Sequence, residues 1–92
     1  MGFQIKFNWV LQINAPSILE VRETYEFSKE GNRAFPLNAP IDLIDMDRNC
    51  LAKIKILEFT NEEGRTSGSF IVVKVYQGEE KKILTNYWLE NQ

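Results

Sequence analysis

The chain of 92 residues contains no histidine. That removes the commonest general base, the Ser-His and Cys-His nucleophile pairs and the usual zinc ligand sets, so an enzyme is not expected. Its one cysteine, Cys50, has no internal partner for a disulfide. A lone thiol fits a reducing compartment, and the cytoplasm is the expected location. Lysine and arginine nowhere form a block, and the net charge is −2, so the chain as a whole does not attract polyanions. No apolar run approaches the roughly 18 residues that a membrane span requires, and no membrane contact is expected. The opening MGFQIKFNWV lacks the apolar stretch and small-residue cleavage site of a secretory signal. Its Met-Gly start has Lys6 where a myristoylation signal carries Ser or Thr. Internal repeats, linkers and low-complexity segments are also lacking.

What is present is an ordinary globular composition, 43% hydrophobic and 26% charged, in a length that makes residues 1–92 a single domain with one core. Phe3, Ile5, Phe7, Trp9, Leu11 and Ile13 occupy every odd position of the first stretch, with Gln4, Lys6, Asn8, Val10 and Gln12 between them. Alternation of period two describes a strand with one apolar face, on which this whole odd set is expected to be core. Eleven residues in extended geometry would run about 36 Å, roughly twice a usual strand, so a bend is expected, with Val10 marking where both faces become covered.

Asn14-Ala15-Pro16-Ser17 reads as a turn. Ser17 and Glu20 could cap a helix, but Leu19, Val21, Tyr25 and Phe27 share one parity, and the residue types favour a strand. Lys29-Glu30-Gly31-Asn32 is expected to close a hairpin. Pro36 and Pro40 forbid a helix across them, which predicts an edge or crossing segment and then a short strand from Ile41. After a turn at residues 45–49, Cys50, Ala52, Ile54 and Ile56 share a parity that switches at Leu57 and Phe59, predicting a bulge near residues 56 and 57. Asn61-Glu62-Glu63-Gly64 is the clearest hairpin tip. A strand is expected over residues 66–76, with its centre Phe70-Ile71-Val72-Val73 covered on both faces. Residues 81–89 read as a last strand, although Ile83, Leu84, Tyr87 and Trp88 would also suit an amphipathic helix. The expected fold is all-β, a small antiparallel barrel or barrel-like sandwich of six to seven strands.

Few constellations carry chemistry. Asp45, Asp47 and Asn49 imitate the start of a calcium loop, but Cys50 and Ile56 stand where that loop needs Gly and Glu. A solvated turn is expected there, with no metal or cofactor. Cys50 opens an apolar run without a basic neighbour and reads as inert. Glu20, Glu23, Glu26 and Glu30 are interleaved with Arg22 and Lys29, as on a solvated strand face. Lys74, Tyr76, Lys81, Lys82, Tyr87 and Trp88 are the sole mixture of aromatic and basic residues. Such a set could stack unpaired bases, but core packing accounts for the rings better.

Residues 25–43 read YEFSKEGNRAFPLNAPIDL. Lys29, Gly31, Arg33, Phe35, Pro36, Leu37, Asn38 and Pro40 give this stretch a pattern that resembles a family of small uncharacterised bacterial β-rich proteins, a domain of unknown function. The hairpin at residues 64–66 is also similar, and this chain is longer at its C-terminus. The resemblance implies a β-rich fold and carries no activity. It nominates Arg33, set beside the rigid Phe35-Pro36-Leu37 segment, as an anchor for a partner's carboxylate or another anion; a structural salt bridge from Arg33 to Asp42 or a glutamate is the favoured reading of that residue. The expected function is a small interaction or adaptor module that binds another protein through a sheet face or edge at Arg33, Phe35, Pro36 and Leu37. The alternative is an RNA-binding small barrel associated with translation. Exposure of Tyr87 and Trp88 beside Lys81 and Lys82 would favour RNA, and burial would favour the protein partner.

Overall fold

A computed structural model describes residues 6–90 of the chain. Seven strands and one helix follow in the order β1 Lys6–Phe7, β2 Val10–Gln12, β3 Thr24–Glu30, β4 Arg33–Ala34, β5 Pro40–Ile44, β6 Cys50–Glu62, β7 Arg65–Val75 and α1 Gly78–Glu90. Five strands form a curled half-barrel in the order β2-β5-β6-β7-β3, and β1 pairs with β4 in a separate two-stranded ribbon. The fold is of the small all-β kind expected, with a helix added.

The long β6–β7 hairpin is its spine. Glu62 faces Arg65 across a two-residue turn in which Glu63 and Gly64 both take positive φ, 52° and 76°. This geometry matches the right-handed twist of the flanking strands. β6 alternates as its sequence dictates, with Cys50, Ala52, Ile54 and Ile56 all fully buried. The pairing with β7 then slips between Ile56 and Glu58, where the parity switch predicts a bulge. β7 lies inside the sheet, between β6 and β3. Phe70 and Val72 are buried while Val73 is 40% exposed, so the second face of its centre is covered only in part.

Four expectations need correction. The first strand breaks at residues 8 and 9, and of its described odd positions only Leu11 and Ile13 are buried. Phe7 and Trp9 are 49% and 68% exposed, because the chain leaves the sheet before Val10, and Phe3 and Ile5 lie outside the described residues. Residues 29–32 do not close a hairpin: β3 pairs with β7, and Gly31, at φ 88°, steers the chain away and hydrogen-bonds to the Gly64 carbonyl at 2.7 Å. The sheet is not wholly antiparallel, since β2 joins β5 in parallel. The chain visits the opposite margin as β3 before returning, the kind of long crossover that parallel neighbours require. Finally, residues 81–89 are helical. Individual propensities there are modest, but Leu84 and Trp88, four apart, cover a second apolar cluster of Ile44, Cys50 and Tyr76. Glu79 and Glu80 stabilise the first helical turn.

The main core gathers Leu11, Phe27, Phe35, Ile54 and Phe70 inside the curl. Val10 packs on the second cluster while Leu11 packs in the first, so both faces of the sheet become covered at Val10.

Candidate interaction surface

Because the half-barrel does not close, β2 and β3 are its two margins. An open groove of about 720 Å³ runs between them, lined by Gln12 and Asn14 on the β2 side, by Glu26 and Lys29 on the β3 side, and by Arg33 and Arg65 at one end. The Lys29 ammonium reaches over the gap and donates to the backbone carbonyl of Gln12. Main-chain ladder bonds do not join the two margins among the described residues.

Arg33 stands at the corner where the ribbon, the turn after β3 and the hairpin tip meet. Its backbone N–H donates to Thr66 Oγ1 at 2.9 Å and to Asn61 Oδ1 at 3.1 Å, and its carbonyl accepts from Asn61 Nδ2 at 3.1 Å. Thr66 is fully buried, and its hydroxyl donates to the Gly31 carbonyl at 2.8 Å. A buried hydroxyl must be satisfied in this way to be tolerated. Among the described residues the Arg33 guanidinium donates only to neutral oxygens, the Glu30 carbonyl at 2.9 Å and Asn8 Oδ1 at 3.4 Å. Arg65 likewise donates twice to Ser28 Oγ, at 3.2 and 2.9 Å. Among the described residues Arg33 makes no salt bridge with Asp42 or a glutamate.

The segment beside Arg33 divides. Phe35 is 4% exposed, its ring edge-on to Phe27 and Phe59, and is unavailable to a partner. Its position between two facing aromatics outweighs the stiffness of the neighbouring proline. Pro36 is half-buried, and Leu37 is 53% exposed, bridged to Ile56.

The aromatic and basic set does not form one platform. Tyr76 is buried, its phenol donating to Asp42 Oδ1 at 2.7 Å, while the indole N–H of the half-buried Trp88 donates to Asp42 Oδ2 at 2.9 Å. Tyr87 is exposed, set edge-on to Trp88. Lys74 pairs with Glu80 at 2.8 Å, Lys81 is half-buried and Lys82 exposed. Burial, then the bond to Asp42, pushes the Tyr76 phenol well above its usual range. Burial first, and Asp42 second, pushes the Cys50 thiol up to about 12. This cluster anchors α1 on the sheet: the Cys50 N–H also donates to Thr85 Oγ1 at 3.0 Å.

The Asp45–Asn49 turn closes on itself. Asp45 Oδ1 accepts from the N–H groups of Asp47 and Asn49, each at 2.9 Å. Among the described residues, His, Cys, Asp and Glu do not group to hold a metal.

Sequence reasoning missed Arg65, which reads there as an ordinary hairpin residue, and the exposed Phe7–Trp9 pair, whose rings lie 4.7 Å apart between centroids. Perfect alternation assigned those two rings to the core. Nothing in the sequence marks the break at residues 8 and 9.

No family model matches the chain, and neither does any curated protein. Among solved structures it is similar to the protein ytmB from Bacillus subtilis, a structural-genomics target, with a TM-score of 0.70 and 21% identity over 83% of this chain and 95% of that one. The likeness establishes the fold, that of a small bacterial β-rich protein. No helix among the described residues is long and apolar enough to cross a membrane.

Proposed function

We propose that the protein is a small cytoplasmic interaction module that takes up an extended segment of a protein partner along the open margin of its half-barrel. The observation that carries this reading is the unclosed order β2-β5-β6-β7-β3, which leaves two strand edges flanking one groove. A strand edge offers a row of main-chain donors and acceptors, and an added strand satisfies them while side-chain contacts select its sequence. Absence of histidine and the self-closed Asp45–Asn49 turn support binding rather than catalysis. The single Cys50, buried and protonated, suits a reducing compartment. The RNA-binding alternative has less support, because two rings of its platform are engaged with Asp42.

Photocross-linking in the native cell tests the proposal, with a photoreactive residue in place of Glu26 in the groove and, as control, in place of Asn86 on α1. A defined protein adduct from position 26 and none from position 86 is the expected result. Adducts that disappear with ribonuclease, or that form equally at both positions, would refute it.

A further inference from the structure

Arg33 and Arg65 close one end of the groove and form no ion pair among the described residues, although Glu30 and Glu62 stand opposite Arg65 in the ladders, in a chain of 13 acidic residues where the described ion pair is Lys74–Glu80, far along the sheet. Glu26 and Glu30 line the same groove, yet Arg33 is held by the Glu30 carbonyl oxygen and Arg65 by the Ser28 hydroxyl. Arg33 is half-buried, and its main chain is fixed on both sides by Asn61 and by the fully buried Thr66. Arg33 Nη1 reaches Asn8 Oδ1 only at 3.4 Å, and Arg33 Nη2 and Arg65 Nη1 have no hydrogen-bond partner among the described residues; a guanidinium whose root is immobilised and which keeps a free Nη loses little freedom when it receives an anion.

We propose that this end of the groove receives a carboxylate, and that the partner segment is an extended peptide bearing Asp or Glu where it passes Arg33 and Arg65. This rests on the reading of the open margin as a strand-accepting edge. A carboxylate fits better than a nucleic-acid backbone for two reasons. Glu26 and Glu30 would repel a run of phosphates laid along the groove, whereas one carboxylate at the arginine end avoids them. The margins also offer main-chain pairing, which an extended peptide uses and RNA does not.

The test is a randomised nine-residue peptide display selection on the immobilised full chain, repeated on Arg65→Gln and on the double variant Arg33→Gln, Arg65→Gln. Arg65 is exposed, so its single variant keeps the measurement valid should loss of Arg33 disturb the corner. Selected peptides are expected to carry an acidic residue at one position. Changing that residue to Gln, or the arginines to Gln, should each weaken binding about tenfold, in keeping with a charge-assisted pair. The two changes together should cost little more than either alone. Peptides that bind the groove with no acidic preference would overturn this inference and leave the strand-accepting reading intact. Failure to select any peptide would overturn both. Binding of a ten-nucleotide oligouridine that depends on Arg33, with no peptide competing, would replace the carboxylate by phosphate and sink the proposal.

Discussion

Gly68 shows how a single residue permits the close approach of two strands. It lies opposite Phe27 on one side and Phe59 on the other, next to the β6 bulge that brings the Glu58 carbonyl close. A Cβ added there would collide with that carbonyl and come within 2.9 Å of Phe59 Cα, both backbone atoms that cannot swing aside. Gly68→Ala should therefore destabilise the protein by about 3 kcal/mol, toward the upper end of overpacking costs, despite its small added volume. Urea unfolding measures this; a loss under about 1 kcal/mol would mean that the two strands are less closely apposed. Arg33 and Phe35 show what was legible at this scale. The sequence singles out Arg33 beside a proline-stiffened stretch but favours for it a salt bridge that the described residues do not form. The inward turn of Phe35 was not legible, because it depends on Phe27 and Phe59, eight residues before it and twenty-four after it, which meet it only in the fold.

Among the elements, β6 and β7 follow from sequence because alternation, the bulge and the Glu63-Gly64 tip all agree. α1 does not, because its reason lies on the sheet surface it covers. Asp42 receives both Tyr76 and Trp88, so Trp88→Phe, which keeps an aromatic ring but removes the indole donor, should cost about 1–2 kcal/mol, the usual penalty for leaving a hydrogen-bonding group unmatched. The same substitution should raise the rate at which a thiol reagent labels Cys50, now fully covered. In the intact protein the thiol should resist labelling at pH 8 until urea unfolds the chain. The pH dependence has a definite sign. The folded thiol keeps its proton to about 12, against an ordinary value of 9.0, so its contribution to stability is complete below 9.0 and is lost as pH rises from there toward 12. A thiol labelled at the same rate in both proteins would show that α1 does not shield it.

On the scale of the whole molecule, the alternating strands and polar turns were enough to indicate a small barrel-like β fold, and the likeness to the Bacillus subtilis protein agrees with it. They were not enough to show that the barrel stays open. Closure depends on whether β2 and β3 come within ladder distance, and β2 is only three residues long because the chain leaves the sheet before Val10. The groove follows from that short margin, and the arginine end from the crossing of β4 beside the hairpin tip. The proposed partner site is accordingly a property of topology, a groove lined by residues as distant in sequence as Gln12 and Arg65.

Amide hydrogen exchange of the full chain, with and without the protein partner cross-linked from position 26, examines that site most directly. Partner binding should slow exchange in Thr24–Glu30 and Val10–Gln12, the strands whose outer edges are open, while leaving Gly78–Glu90 unchanged. Protection confined to the helix, or absent from both margins, would contradict a strand-accepting half-barrel.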